Sequence, residues 1–175
     1  MKRVYRITPM LILFLLASPI ISLADQLKVT RVYDGDTVQQ AKGCGWRVTT
    51  MKVRLAGIDT PETSKSKRDP GQPFSQHAKK YLAGLILNKA VEIKYYGLDR
   101  YKRVLGAISL EGKNINLELI RAGLAEVYRG KPPKGFDSKP YIQAEAEAKK
   151  AQRGMWSQGD NYISPKKWRK IHRGK

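Results

Sequence analysis

The chain has 175 residues, with 34 Lys and Arg against 15 Asp and Glu, a formal net charge of +19 and a single cysteine. That length holds one domain with a real core and excludes two comfortable ones, and one thiol excludes an internal disulfide. So one-sided a charge points to a polyanionic partner, either nucleic acid or an anionic surface.

The first 24 residues have the pattern of an export signal. Lys2, Arg3 and Arg6 precede an apolar run from Met10 to Leu16, and Ser22 and Ala24 supply the small residues for cleavage after Ala24. Ser18-Pro19 interrupts a stretch already short for the ~30 Å of a bilayer core. The expected location is therefore secreted or periplasmic, with the folded domain expected to start at residue 25.

Leu27, Val29 and Val32 mark a first strand, which the turn dipeptide Asp34-Gly35 closes, and a second short strand is expected around Thr37 to Gln40. Cys44, flanked by Gly43 and Gly45, reads as an incidental thiol at a loop tip. Met51, Val53 and Leu55 then alternate with Lys52 and Arg54. This period of two turns Arg54 away from the buried face. Residues 63–71 form a polar, basic loop.

Phe74, Ala78, Tyr81, Leu82, Leu85 and Ile86 recur at helical spacing, with His77 beside that apolar face as a structural residue. Val91, Ile93 and Tyr95 predict a strand, as does Val104 to Leu110. Asn116 is the expected N-cap of a short helix that stops at Gly123. Tyr141, Ala144, Ala148, Ala151 and Met155 form one apolar stripe, with Pro140 in the first turn, Gly154 at the end and a Glu145–Lys149 pair.

These elements predict an α+β fold: a small five-stranded barrel of the oligonucleotide/oligosaccharide-binding (OB) type with about three helices. Residues 25–157 make the domain, and residues 158–175 a basic C-terminal tail, read either as disordered or as a flap adding phosphate contacts.

The chemistry narrows by elimination. With only His77 and His172, neither a histidine base nor a zinc site of several histidines is readily built. No Ser-His-Asp or Cys-His arrangement and no Gly-rich phosphate loop stands out. Asp34-Gly35-Asp36 alone is more often a turn than a metal site, and Asp59-Thr60-Pro61-Glu62 can simply cap a helical turn. Together, two acidic strand ends in one small barrel can converge on a hard cation.

Three ordered blocks carry a resemblance. Val32-Tyr33-Asp34-Gly35-Asp36-Thr37-Val38, Arg54-Leu55-Ala56-Gly57-Ile58-Asp59-Thr60-Pro61-Glu62 and Asp99-Arg100-Tyr101-Lys102-Arg103-Val104-Leu105-Gly106 resemble the signature blocks of the staphylococcal nuclease (thermonuclease) family. The segment from Asn116 to Ala125 and the alanine-rich helix before Gly154-Met155-Trp156 are similar to its later segments, so the likeness covers roughly residues 26–157.

The resemblance implies that Asp36 and Asp59 are Ca²⁺-binding carboxylates, with Thr60 offering a backbone carbonyl. It implies a general-base role for Glu62, phosphate binding for Arg54 and Arg103, and nucleotide contacts for Tyr101 and, more loosely, Tyr128. The implied protein is an exported monomeric nuclease that hydrolyses DNA and RNA with Ca²⁺ and leaves 3′-phosphate ends. Lys102 stands where the family usually has glycine; if that position needs φ > 0, a side chain strains the loop carrying Arg103. A catalytically silent nucleic-acid-binding barrel is the main alternative, and an adhesion module for acidic polymers rests on charge alone.

Overall fold

A computed structural model describes residues 27–44, 47–64 and 71–172. The export-signal pattern, Gly45 and Trp46, and most of the basic loop lie outside the described residues. Three strands open the fold as an antiparallel meander: β1 (Leu27–Val32), β2 (Thr37–Cys44) and β3 (Arg47–Leu55). In β1, Leu27 and Val29 are buried at a spacing of two, but Val32 follows at three. The register slips between Val29 and Arg31, a bulge whose extra residue returns Val32 to the interior.

Next come the short β4 (Ile58–Asp59) and α1 (Ser75–Ile86), which buries Ala78, Leu82 and Ile86 against the barrel. His77, on this helix, is exposed and tilted against the Phe74 ring. β5 (Ala90–Leu98) pairs with β1, and β6 (Val104–Leu110) pairs antiparallel with β5. β6 also runs parallel to β3 from Val53–Val104 to Leu55–Gly106, which closes the five strands into a barrel. Val29, Val38, Val53, Leu55 and Ile108 belong to its core.

After β7 (Lys113–Asn114), α2 (Ile115–Arg121) begins two residues earlier than expected. Its N-cap is Asn114, whose side chain accepts the Leu117 amide at 3.0 Å. Asn116 lies inside the helix and fully buried, where its carbonyl oxygen accepts the Ile108 amide. Its amide donates to the Ala56 and Gly106 carbonyls at 2.9 and 3.1 Å. Asn116 thus ties α2 to the seam where β3 meets β6, a role a cap motif does not announce.

β8 (Glu126–Val127) pairs with β4, setting Asp59 opposite Glu126. α3 (Lys139–Lys150) buries Tyr141, Ala144, Glu145 and Ala148. The expected stripe does not run on to Met155 within one helix. Ala151 is exposed, and the chain turns through Gln152 and Gly154, both at positive φ, into a 3₁₀ segment, Gly154–Asn161. Gly154 and Gly123 touch backbone to backbone: a Cβ on Gly123 would lie 2.1 Å from the Arg153 carbonyl oxygen, so neither position has room for a side chain.

Residues 158–172 fold back on the domain. α4 (Pro165–Ile171) is capped by the Ser164 hydroxyl, Pro165 is buried, and Gln72 Nε2 donates to the Ile163 carbonyl at 2.6 Å. The architecture is the expected OB-type α+β barrel with one helix beyond the three expected, the added one coming from the tail.

One core position is strained chemically. Gln40 is fully buried between Val29 and Met51, and neither its amide nitrogen nor its oxygen has a hydrogen-bond partner among the described residues. An unsatisfied buried polar group costs about 1–3 kcal/mol. The similar-sized Gln40→Met is expected to raise the unfolding free energy by about 1–2 kcal/mol, seen in urea as a higher midpoint at unchanged m-value.

Candidate active site

Register brings the first two motifs together. Thr37 on β2 faces Arg54 on β3, and the Leu55 amide donates to the Asp36 carbonyl at 2.8 Å. The Asp34 carboxylate accepts the Asp36 amide at 3.0 Å, an Asx turn that fixes the direction of the Asp36 side chain. Gly35 is required by close approach: a Cβ there would fall 2.8 Å from Ala78 and 2.9 Å from Thr60. The turn is therefore pressed onto the segment carrying Asp59 and Glu62.

Arg54 binds both acids at once. Its Nη2 lies 3.2 Å from Asp36 Oδ2 and 3.2 Å from Asp59 Oδ1. Both carboxylates are buried, Asp36 at 4% exposure and Asp59 at 3%. Burial pushes the Asp36 carboxyl up to about 7, against the pull of Arg54. Burial pulls the Arg54 guanidinium down, but Asp36 and Asp59 outweigh it and hold the pKa above its ordinary value.

Arg103 stands on the other side of Asp36, its Nη1 donating to Thr37 Oγ1, which donates to Asp36 Oδ1. Asp99 aims it: the Asp99 carboxylate takes Arg103 Nε at 2.8 Å and the amides of Tyr101 and Arg103 at 2.8 and 2.9 Å. Burial alone raises an acid's pKa, yet these bonds hold Asp99 below its usual value. Lys102 adopts φ +60°, the left-handed conformation glycine would take without strain, and Asp99 accepts its amide through the backbone carbonyl. The substituted loop nevertheless presents Arg103 to the site.

Asp36, Arg54, Thr60, Glu62, Tyr101, Arg103 and Tyr128 all line one cavity of about 530 Å³. Asp59 lies behind Arg54 and opens on an adjoining groove. The two tyrosines are largely exposed, with Arg103 over the Tyr101 ring at 5.5 Å and Arg54 over Tyr128 at 6.0 Å.

Two functional groups escaped the sequence. Asp99 lay within a quoted motif, and its place before a tight turn was the available signal for an Asx contact. Arg169 gave no local signal, being one cation among many in the tail. From α4 its Nη1 and Nη2 grip Asp59 at 3.0 and 2.7 Å, and Nη1 also reaches Glu62 Oε1 at 2.5 Å. Hydrogen bonds to Asp59, then Glu62, hold the Arg169 guanidinium far above its ordinary pKa despite partial burial.

The donor set suits a hard divalent cation. Asp36 and Asp59 offer carboxylate oxygens withdrawn from water, and two guanidiniums supply positive charge beside them. Among the described residues no three His, Cys, Asp or Glu side chains come together so as to hold a metal ion. Two carboxylates with a backbone carbonyl and waters match the habits of Ca²⁺ or Mg²⁺ rather than a closed zinc site.

The Asp36 shift predicts a pH dependence. In metal-free protein the native state holds a proton on Asp36 up to about pH 7, whereas the unfolded chain releases it near pH 4, so stability falls as pH rises through that window. Asp36→Asn removes the effect. Relative to wild type in chelator, its unfolding free energy should climb between about pH 4 and 7 by a few kcal/mol and then level off.

Comparison with known proteins gives a family match whose span contains the Arg54–Glu62 and Asp99–Gly106 blocks and begins after the Val32–Val38 block. Residues 52–158 match the family model described as "Staphylococcal nuclease homologue". The chain is 34% identical over 166 residues to an "Uncharacterized endonuclease" of Haemophilus influenzae, covering 94% of this chain and 84% of that one. It is 33% identical over 169 residues to "Probable endonuclease LCL3" of Debaryomyces hansenii, covering 83% and 72%. The same-named protein of Candida tropicalis is 32% identical over 168 residues, covering 82% and 71%.

Proposed function

The chain belongs to the staphylococcal nuclease family, a hydrolase acting on nucleic-acid phosphodiesters, and from that premise we propose a finer activity: an exported, monomeric, Ca²⁺-dependent endonuclease that cuts DNA and RNA to leave 3′-phosphate ends. The observation carrying the reading is Arg54 bridging the buried Asp36 and Asp59 at 3.2 Å each, in a cavity shared with Glu62 and Arg103. The leader-like residues 1–24 support export.

Attack on a phosphodiester builds negative charge on the non-bridging oxygens, so the site needs positive charge fixed in advance. Arg54 and Arg103 provide planar forks for those oxygens, which a lysine point charge does not match. A divalent cation at Asp36 and Asp59 would supply further charge neutralisation and lower the pKa of a bound water. Glu62, at the cavity wall, accepts the proton of the attacking water. Arg103, aimed by Asp99, steadies the charge on the departing 5′ oxygen, and its high pKa makes it an electrostatic partner and not a proton donor.

One observation favours the silent-binder alternative: Glu62 is hydrogen-bonded to Arg169 and so not free as a base. Mutants separate the two readings. Glu62→Gln and Arg54→Ala are each expected to cut plasmid cleavage in Ca²⁺ by about 10²-fold or more while leaving salt-sensitive DNA binding largely intact. Cleavage and binding falling in parallel in both mutants would count against the roles given to Glu62 and Arg54, and a wild type inactive in every metal would speak for the binder.

A further inference from the structure

Beside the catalytic cavity runs a second groove of about 290 Å³ between α4 and the segment that follows β8. Five cations line it: Arg100, Arg129, Lys166, Arg169 and Lys170. On α4, Lys166, Arg169 and Lys170 lie at i, i+3 and i+4 and therefore share one face of a helix that carries no acidic residue.

The acids in the groove are already satisfied. Asp59 is held by Arg54 and Arg169, and Glu126 accepts the Tyr162 hydroxyl at 2.6 Å. Arg129 is paired with Glu145. Arg100, Lys166 and Lys170 are exposed and have no ion pair among the described residues, Arg100 lying over the Tyr101 ring instead. Uncompensated positive charge thus lines the groove from Lys166 and Lys170 on α4 and from Arg100, where it repels itself unless an anion lies between.

Two more observations identify the anion. Arg100, Tyr128 and Arg169 line both the groove and the catalytic cavity, so the two are continuous. Tyr128, at their junction, is 43% exposed and offers a ring face for a base. The α4 wall is also fixed in place, through buried Pro165, the Ser164 cap and the Gln72–Ile163 hydrogen bond.

We infer that this groove is a second phosphate subsite, which holds the single-stranded backbone of the substrate next to the phosphodiester being cut. The assignment deepens the nuclease reading and rests on it. It makes α4 a substrate-binding element, with Lys166 and Lys170 as contacts to phosphates that do not react.

The test measures binding of a labelled oligothymidylate to the intact protein, in chelator so that nothing is cut, between about 50 and 200 mM salt. Lys166→Ala/Lys170→Ala is compared with Lys79→Ala/Lys80→Ala on α1, which removes the same charge from residues lining neither cavity. The groove pair is expected to flatten the slope of log affinity against log salt by about 1.4, roughly 0.7 per lost phosphate contact, and the α1 pair by much less. An unchanged slope in the groove pair, or equal flattening in both pairs, overturns the subsite. Because the readout needs no cleavage, failure of the subsite is distinguishable from failure of the nuclease reading, which shows as a wild type that cuts nothing.

Discussion

Two carboxylates almost wholly withdrawn from water, Asp36 and Asp59, have to be neutralised by something, and Arg54 is placed between them. Most of the local structure exists to enforce that meeting. The Thr37–Arg54 register fixes which residue of β3 stands beside the first turn, and β3 continues into the short strand that delivers Asp59. Asn116 pins the β3–β6 seam from below, and β6 follows directly on the Asp99–Arg103 loop. A guanidinium suits the bridging position because it can donate to two acids at once and can later turn its fork to a phosphate.

Much of this was legible in the residues. The alternation of Met51, Val53 and Leu55 with Arg54 gave both the strand and the outward direction of the arginine. The spacing of Leu27, Val29 and Val32 marked a strand, though not the bulge that makes that uneven spacing work. What stayed hidden depended on tertiary contact. Asn116 looks like a cap because asparagine favours caps, yet its neighbour Asn114 takes that place and burial gives Asn116 a different task. The stripe from Tyr141 to Met155 keeps helical spacing beyond the point where the contact of Gly123 with Gly154 bends the chain away.

The tail shows the same limit more sharply. Read alone, the segment from Pro165 to Ile171 is a cluster of positive charge around one tryptophan, and charge says nothing about where it docks. Docking depends on Gln72, which accepts the Glu62 amide with its side-chain oxygen and donates its amide to the Ile163 carbonyl. One residue thereby joins the Glu62 segment to the tail. The docked tail sets Arg169 on Asp59 and Glu62, so Asp59 takes positive charge from both β3 and α4.

If the acidic oxygens at the barrel mouth form a cation site, arginine now stands in it. Calorimetric titration of the metal-free protein with Ca²⁺, for wild type and Arg169→Ala, tests it without reference to catalysis. If guanidinium and metal compete for Asp59, wild type binds Ca²⁺ and the variant binds it more tightly. Weaker binding in the variant, or no Ca²⁺ binding by either protein, would contradict the account.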